Sequence, residues 1–162
     1  MNAKEMIMKR STIAKTFTIA AVTAVALGMA PTAKADSKGC SNANLKGAFA
    51  FTETGFLTAP PAPVGPVAEV GTQTFDGKGA TTATATLTAT GNIFQVTITG
   101  TYTVNPDCTG TFTILVSPLG LTAHFFFVIA DGGNELRAIG TDPGGVTTRI
   151  YRRQFPVGDW RD

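Results

Sequence analysis

The sequence predicts an all-β protein, an eight-stranded antiparallel up-and-down barrel. Three observations carry this. Short runs rich in Thr, Val, Ile and Phe alternate with Gly, Asp, Asn and Pro at even spacing, with almost no helical pattern. The connections between runs are too short for parallel crossovers, so consecutive strands must pair antiparallel as a meander. Eight such strands leave two open edges, and closing the first strand onto the last removes both. A two-sheet sandwich is the competing arrangement.

The first element precedes the barrel. Residues 1–35 read as a signal peptide that enters as a helix. Lys4, Lys9, Arg10 and Lys15 form a positive region, Phe17 to Met29 an apolar stretch, and Pro31 a helix break. Ala33-Lys34-Ala35 then places small residues where a signal peptidase cuts, after Ala35. Met8, followed directly by Lys9-Arg10, offers a second possible start. The apolar stretch is too short and too rich in Thr and Ala to remain as a membrane anchor. Secretion or periplasmic export is therefore expected, with residues 36–162 forming one barrel domain.

This division also accounts for the charge. The chain of 162 residues carries 13 Lys and Arg against 11 Asp and Glu, a formal +2. Five of those cations and the single acid Glu5 lie before residue 36. From Asp36 onward, 13 minus 5 leaves 8 basic residues and 11 minus 1 leaves 10 acidic ones, a net of −2. The basicity belongs to the leader and points to no nucleic-acid partner. A charged fraction of 15% with 43% hydrophobic residues excludes charge-driven disorder. In an oxidising compartment Cys40 and Cys108 have one possible connectivity. Bridging them closes a loop whose entropy stabilises the fold by on the order of 4 kcal/mol.

The strand runs, in order, are Gly47–Leu57, Val67–Phe75, Gly79–Thr90, Ile93–Val104, Thr109–Ser117, Thr122–Ala130, Asn134–Thr141 and Val146–Phe155. Asp76-Gly77-Lys78-Gly79 and Gly91-Asn92 supply tight hairpin turns. Longer turns follow at Asn105-Pro106-Asp107, Ser117-Pro118-Leu119-Gly120, Asp131-Gly132-Gly133-Asn134 and Asp142-Pro143-Gly144-Gly145. The longest connection, Thr58 to Pro66, is rich in proline and suited to lie across one barrel mouth.

Period-two alternation assigns the faces. Phe94, Val96, Ile98, Gly100, Tyr102 and Val104 share an inward face, as do Phe112, Ile114 and Val116. The third strand turns only Ala83, Ala85, Leu87 and Ala89 inward, so either Phe49, Phe51 and Phe94 reach across or a cavity remains. Pairs such as Thr84/Thr86, Thr97/Thr99, Thr101/Thr103 and Thr111/Thr113 fill the outside as ordinary strand surface. His124 faces outward beside Phe126. Arg149, Arg152 and Arg153 form a basic cluster on the last strand, read as protecting or solvating an edge.

Glu53 is the most informative polar residue, since it shares the inward parity of Phe49 and Phe51. Glu69 and Gln73 share parity with Phe75 and also point in. A carboxylate inside a small barrel needs a partner or a shifted pKa. Arg137 and Arg149 are candidate cations, and Tyr102 a candidate hydroxyl donor. These residues (Glu53, Glu69, Gln73, Tyr102 and Arg137) are the ligand-binding candidates, with Glu53 the one candidate for catalysis. The serines of the exported part sit in no nucleophile elbow, which argues against a Ser-His-Asp hydrolase. No metal-ligand spacing, phosphate loop or dinucleotide fingerprint is present, so no cofactor is expected.

Several stretches carry a family resemblance. They are Cys40–Gly47 leading into Ala48-Phe49-Ala50-Phe51, Thr74-Phe75-Asp76-Gly77-Lys78-Gly79, and Gly100 to Thr111 with its Asn105-Pro106-Asp107-Cys108. Together with Glu135-Leu136-Arg137 and Thr141-Asp142-Pro143-Gly144, they resemble a group of small exported bacterial proteins. That resemblance implies a barrel similar to the allene oxide cyclase and calycin-like folds, and it transfers no catalytic residue. The function expected is a secreted barrel that binds a small apolar or amphipathic molecule in its lumen. One alternative is a lumenal isomerase or cyclase using Glu53 with Tyr102 or Arg137. Another is a cell-surface structural or interaction protein with an exposed apolar strip including Phe125, Phe127 or Trp160.

Overall fold

The structure, a computed structural model, describes residues 39–59 and 64–155. The leader with its cleavage position, the central prolines of the long connection (Pro60, Pro61 and Pro63) and Trp160 lie outside the described residues. The strands are β1 (Gly47–Leu57), β2 (Gly65–Phe75), β3 (Ala80–Ala89), β4 (Asn92–Val104), β5 (Thr109–Ser117), β6 (Leu121–Ala130), β7 (Glu135–Gly140) and β8 (Gly145–Arg153). They close in chain order into an antiparallel barrel, with β1 pairing β8 from Phe49 opposite Arg153 to Leu57 opposite Gly145. The sandwich is excluded.

Most strand ends match the sequence expectation, and the departures have local causes. β2 starts at Gly65 because the β1 ladder continues past Val67, pairing Phe56 with Pro66 and Leu57 with Gly65. β7 is shorter than expected because Asn134 ends a short 3₁₀ turn (Asp131–Gly133) and is held by its N–H to the Asp131 carbonyl. In the β2–β3 turn, Asp76 Oδ1 accepts the N–H groups of Lys78, Gly79 and Ala80 at 2.7–2.9 Å. These bonds hold the Asp76 carboxyl below the usual carboxylate range. Gly77 takes a φ of +79° there, which L side chains rarely adopt. Gly110, on the inward face of β5, lies under the ring of Phe127 and against the Thr103 carbonyl, so no side chain fits.

The alternation of faces is as expected. Phe49, Phe51, Val96, Ile98, Tyr102, Val104, Phe112, Ile114 and Val116 are buried, and the Thr-rich face looks out. Two expectations for surface residues need correction. With the barrel closed, β8 has no free edge for Arg149, Arg152 and Arg153 to protect. Arg149 is only 3% exposed inside the barrel, and Arg152 alone of the three lies outside, paired with Glu135 at 3.0 Å. Phe125 and Phe127 are buried rather than part of a surface strip. The exposed apolar residues of this region are Phe126, Val128, Ile139 and Ile150, with Phe126 directly opposite Ile139.

The lower end of the barrel is sealed. A 3₁₀ turn at Asn42–Leu45 lies beneath it with Leu45 fully buried, and the Cys40–Cys108 disulfide (Cα–Cα 4.9 Å) ties the entering chain to the β4–β5 turn. Arg153 donates to the carbonyls of Asn44, Lys46 and Gly133 at 2.6–3.0 Å, with its guanidinium over the Phe49 ring at 4.5 Å. Above it Phe75 meets Phe49, Tyr102 and Tyr151 edge-on, while Phe112 stacks between Phe125 and Phe127. The upper end is different.

Candidate functional site

Above the aromatic layer lies a cavity of about 190 Å³. Leu57, Val67, Leu87, Val116, Leu121 and Phe125 supply its apolar walls. Its polar floor follows from strand register. Glu53 on β1 is opposite Glu69 on β2 and opposite Arg149 on β8, so three neighbouring strands bring two acids and one base into a single row. Arg149 Nε donates to Glu53 Oε2, and a terminal guanidinium nitrogen donates to Glu69 Oε2 at 2.7 Å. The three residues are 6%, 5% and 3% exposed. The guanidinium also faces the rings of Phe51 and Phe125, at 5.0 and 4.6 Å from their centroids.

From this row a chain of hydrogen bonds descends into the core. The other terminal nitrogen of Arg149 donates to the Tyr151 hydroxyl at 3.4 Å, and Tyr151 donates to Gln73 Oε1 at 3.1 Å. Gln73 Nε2 donates to Thr81 Oγ1 at 2.9 Å, which donates to the Thr74 carbonyl at 2.9 Å. A buried polar network of this kind is tolerable because its members are satisfied. Burial and the company of Glu53 push the Glu69 carboxyl up to about 7 against the pull of Arg149. Burial opposes charge on Arg149, but Tyr151, Glu53 and Glu69 outweigh it and hold the guanidinium more firmly charged than usual. Burial pushes the Tyr151 hydroxyl up to about 12, so it stays protonated and donates.

Of the candidates named from sequence, Glu53, Glu69 and Gln73 come together in this network. Tyr102 and Arg137 do not join it. Tyr102 points inward as expected but at the sealed end, where its hydroxyl accepts the Gly77 N–H at 2.9 Å and lies 3.3 Å from the Asn42 carbonyl. Arg137 faces outward between the inward Leu136 and Ala138, and pairs with Glu135 at 2.6 Å. An isomerase built on Glu53 with either of those partners therefore has no shared cavity. Tyr151 and Thr81 were missed. The parity of β8, which puts Arg149, Tyr151 and Arg153 on the face opposite Arg152, was the signal that would have found Tyr151.

No family model matches the sequence, and no curated protein matches it. Among solved structures, the chain is similar to a redesigned beta barrel, with a TM-score of 0.51 and 18% sequence identity over 70% of this chain and 95% of that one. The likeness is one of fold. It agrees with the closed barrel and says nothing of the cavity's contents.

The cavity mouth carries one further pair. His124 Nδ1 lies 2.7 Å from Asp142 Oδ1, and the His124 backbone N–H donates to Asp142 Oδ2 at 2.7 Å. His124 thus faces outward, as its parity on β6 implies, while fastening the β7–β8 turn to β6. The chain leaving β1 crosses the same turn, with the Thr58 and Ala59 N–H groups donating to the Gly144 carbonyl at 2.7 and 3.3 Å.

Proposed function

We propose that the protein is an exported barrel that binds a small apolar or amphipathic molecule in its upper cavity. The observation that carries this reading is the cavity itself, apolar in its walls and charged only at its floor, as ligand sites are. Its volume is comparable to the roughly 150 Å³ of engineered apolar cavities that take up benzene. The disulfide suits an oxidising compartment, and no helix among the described residues is long and apolar enough to cross a membrane. Kinship with calycin-like barrels, a leader removed after Ala35, and partners limited to a small ligand rather than nucleic acid belong to the same reading.

Native mass spectrometry of protein isolated from its producing cells tests it. A bound small molecule, released on unfolding, is the expected result. A bare chain that also takes up nothing from a library of small aromatic and aliphatic fragments would overturn it.

A second reading is favoured by the place of Glu69 at the cavity floor, where burial pushes its carboxyl up to about 7. A lumenal isomerase would use Glu69, rather than Glu53 with Tyr102 or Arg137, to move a proton. Fragments that bind should then exchange a carbon-bound hydrogen in deuterated water, and no exchange above the rate in buffer rejects the enzyme.

A further inference from the structure

We propose that the cavity selects a small organic cation, an ammonium or amidinium group on an apolar body of benzyl size, whose charge displaces a proton held between Glu53 and Glu69. The proposal rests on the cavity-binding reading and names the ligand's chemistry.

It follows from the count of charges at the floor. Two carboxylates face one guanidinium, so the row carries one acid in excess. Glu53 from β1 and Arg149 from β8 flank Glu69, Tyr151 from β8 lies within its electrostatic reach, and its neighbour on β3 is the apolar Leu87. At the mouth His124 and Asp142 engage each other. Arg149 is committed to both acids and to Tyr151, and among the described residues lining the cavity the His124 ring is the only other basic group. An uncompensated buried carboxylate is unfavourable, so in the empty site a proton fills the place of the missing cation. Glu53 lies directly opposite Glu69 across the β1–β2 ladder, and a proton between the two carboxylates relieves their repulsion. Burial pushes Glu69 up to about 7, which brings the exchange within reach of neutral solution.

A ligand cation entering along the apolar walls takes over the proton's position. Glu69 releases one proton to water as the ligand brings one positive charge, so the charge of the site is unchanged. A carboxylate ligand brings a further negative charge to a floor that already holds one acid in excess, and is rejected. A neutral ligand leaves the proton where it is.

Isothermal titration of the full chain with benzylamine, benzyl alcohol and benzoate, at pH 6 to 8 in two buffers of different ionisation heat, tests this. Benzylamine should bind more tightly than benzyl alcohol at pH 8, and benzoate should not bind. Benzylamine affinity should fall about tenfold between pH 8 and pH 6, with about one proton released per ligand at pH 6. In Glu69→Gln the pH dependence and the proton release should vanish. If that variant does not fold, the proton count in the unmodified protein decides. Benzyl alcohol binding as tightly as benzylamine at pH 8, without proton release, overturns the cation preference and leaves the cavity reading intact. Failure of both to bind overturns the two readings together. Proton release that survives Glu69→Gln and disappears in His124→Gln also overturns the proposal.

Discussion

The two halves of the barrel share strands, parity and closure, yet one is solid and the other hollow. The lower half fills its inward positions with Phe49, Phe75, Tyr102, Phe112, Phe127, Leu136 and Tyr151, all at most 4% exposed. On β1, β2, β5, β6, β7 and β8 the upper half uses Gly55, Val67, Val116, Ala123, Gly140 and Thr147 instead, and β3 adds Leu87 and Ala89. Side-chain size alone, written at alternate positions, separates a core from a cup. The lower half also carries the disulfide and the Arg153 seal. The division shows how a small barrel can hold a buried ionic row: packing in one half supplies the stability that the other half forgoes.

The comparison breaks most visibly in the aromatic layer. Phe112 touches Phe125 and Phe127 at centroid distances of 4.8 and 5.7 Å and meets Tyr151 at 6.1 Å. Phe112→Ala should destabilise the fold by about 4 kcal/mol in urea unfolding, the usual result of emptying a packed site. Leu87→Ala, beside space that is already open, should lose less than half of that. Equal losses would mean that the halves are packed alike.

The seal comes next. The double variant Cys40→Ala/Cys108→Ala should lose on the order of 3 to 4 kcal/mol through the freed loop. It should loosen hydrogen exchange at the lower end while leaving benzyl alcohol uptake in place.

The ionic row gives the third contrast. Arg149→Met leaves Glu53 and Glu69 buried without a cation, which should cost about 3 kcal/mol at pH 8. Most of that loss should be recovered at pH 5, where Glu69 takes up a proton. Arg137→Met, on the outer face, should stay near the unmodified value at both pH values.

Much of this arrangement was legible in the sequence, and the remainder was not for a physical reason. Parity is local, so the inward positions of Glu53, Glu69 and Gln73 could be read directly, and the same rule applied to β7 turns Arg137 out between Leu136 and Ala138. Height along the barrel is less local. The pairing of Glu53 with Glu69 depends on where the long connection after β1 rejoins the ladder. That of Glu53 with Arg149 depends on the stagger with which the first strand meets the last, a property of closure as a whole. Tyr102 illustrates the difference, having the right face and the wrong end. Arg149 was open to two interpretations, as edge charge or buried partner, and closure decides between them by removing the edge.

Glu69 sharpens the comparison through pH. Its carboxyl rises from 4.5 to about 7 on folding, so between those values the native state binds more protons than the unfolded chain. Stability is therefore greatest below pH 4.5 as far as this group is concerned and is lost as pH rises through 7. That rise corresponds to a span on the order of 3 kcal/mol. Unfolding free energies measured from pH 5 to 8 should decline in the unmodified protein and run nearly flat in Glu69→Gln. A parallel decline in both would place the titrating group elsewhere.

The smallest effect expected has the opposite sign. Ala123 lines the cavity from β6 and is only partly buried, packed against the core cluster. Ala123→Leu adds apolar volume where the barrel is empty, so it needs no displacement of Phe125 or Leu121 and should stabilise the fold by about 1 kcal/mol. The same change inserts its side chain where a ligand's apolar body would sit, and benzyl alcohol uptake should disappear as stability rises. In the lower half no such gain is available, because an added methylene at Ile114 or Leu136 meets close-packed rings and should destabilise by about 1 to 3 kcal/mol. A cavity kept open at the expense of stability is what a binding site requires. Should Ala123→Leu instead destabilise the protein, the upper half would be a strained core rather than a cup.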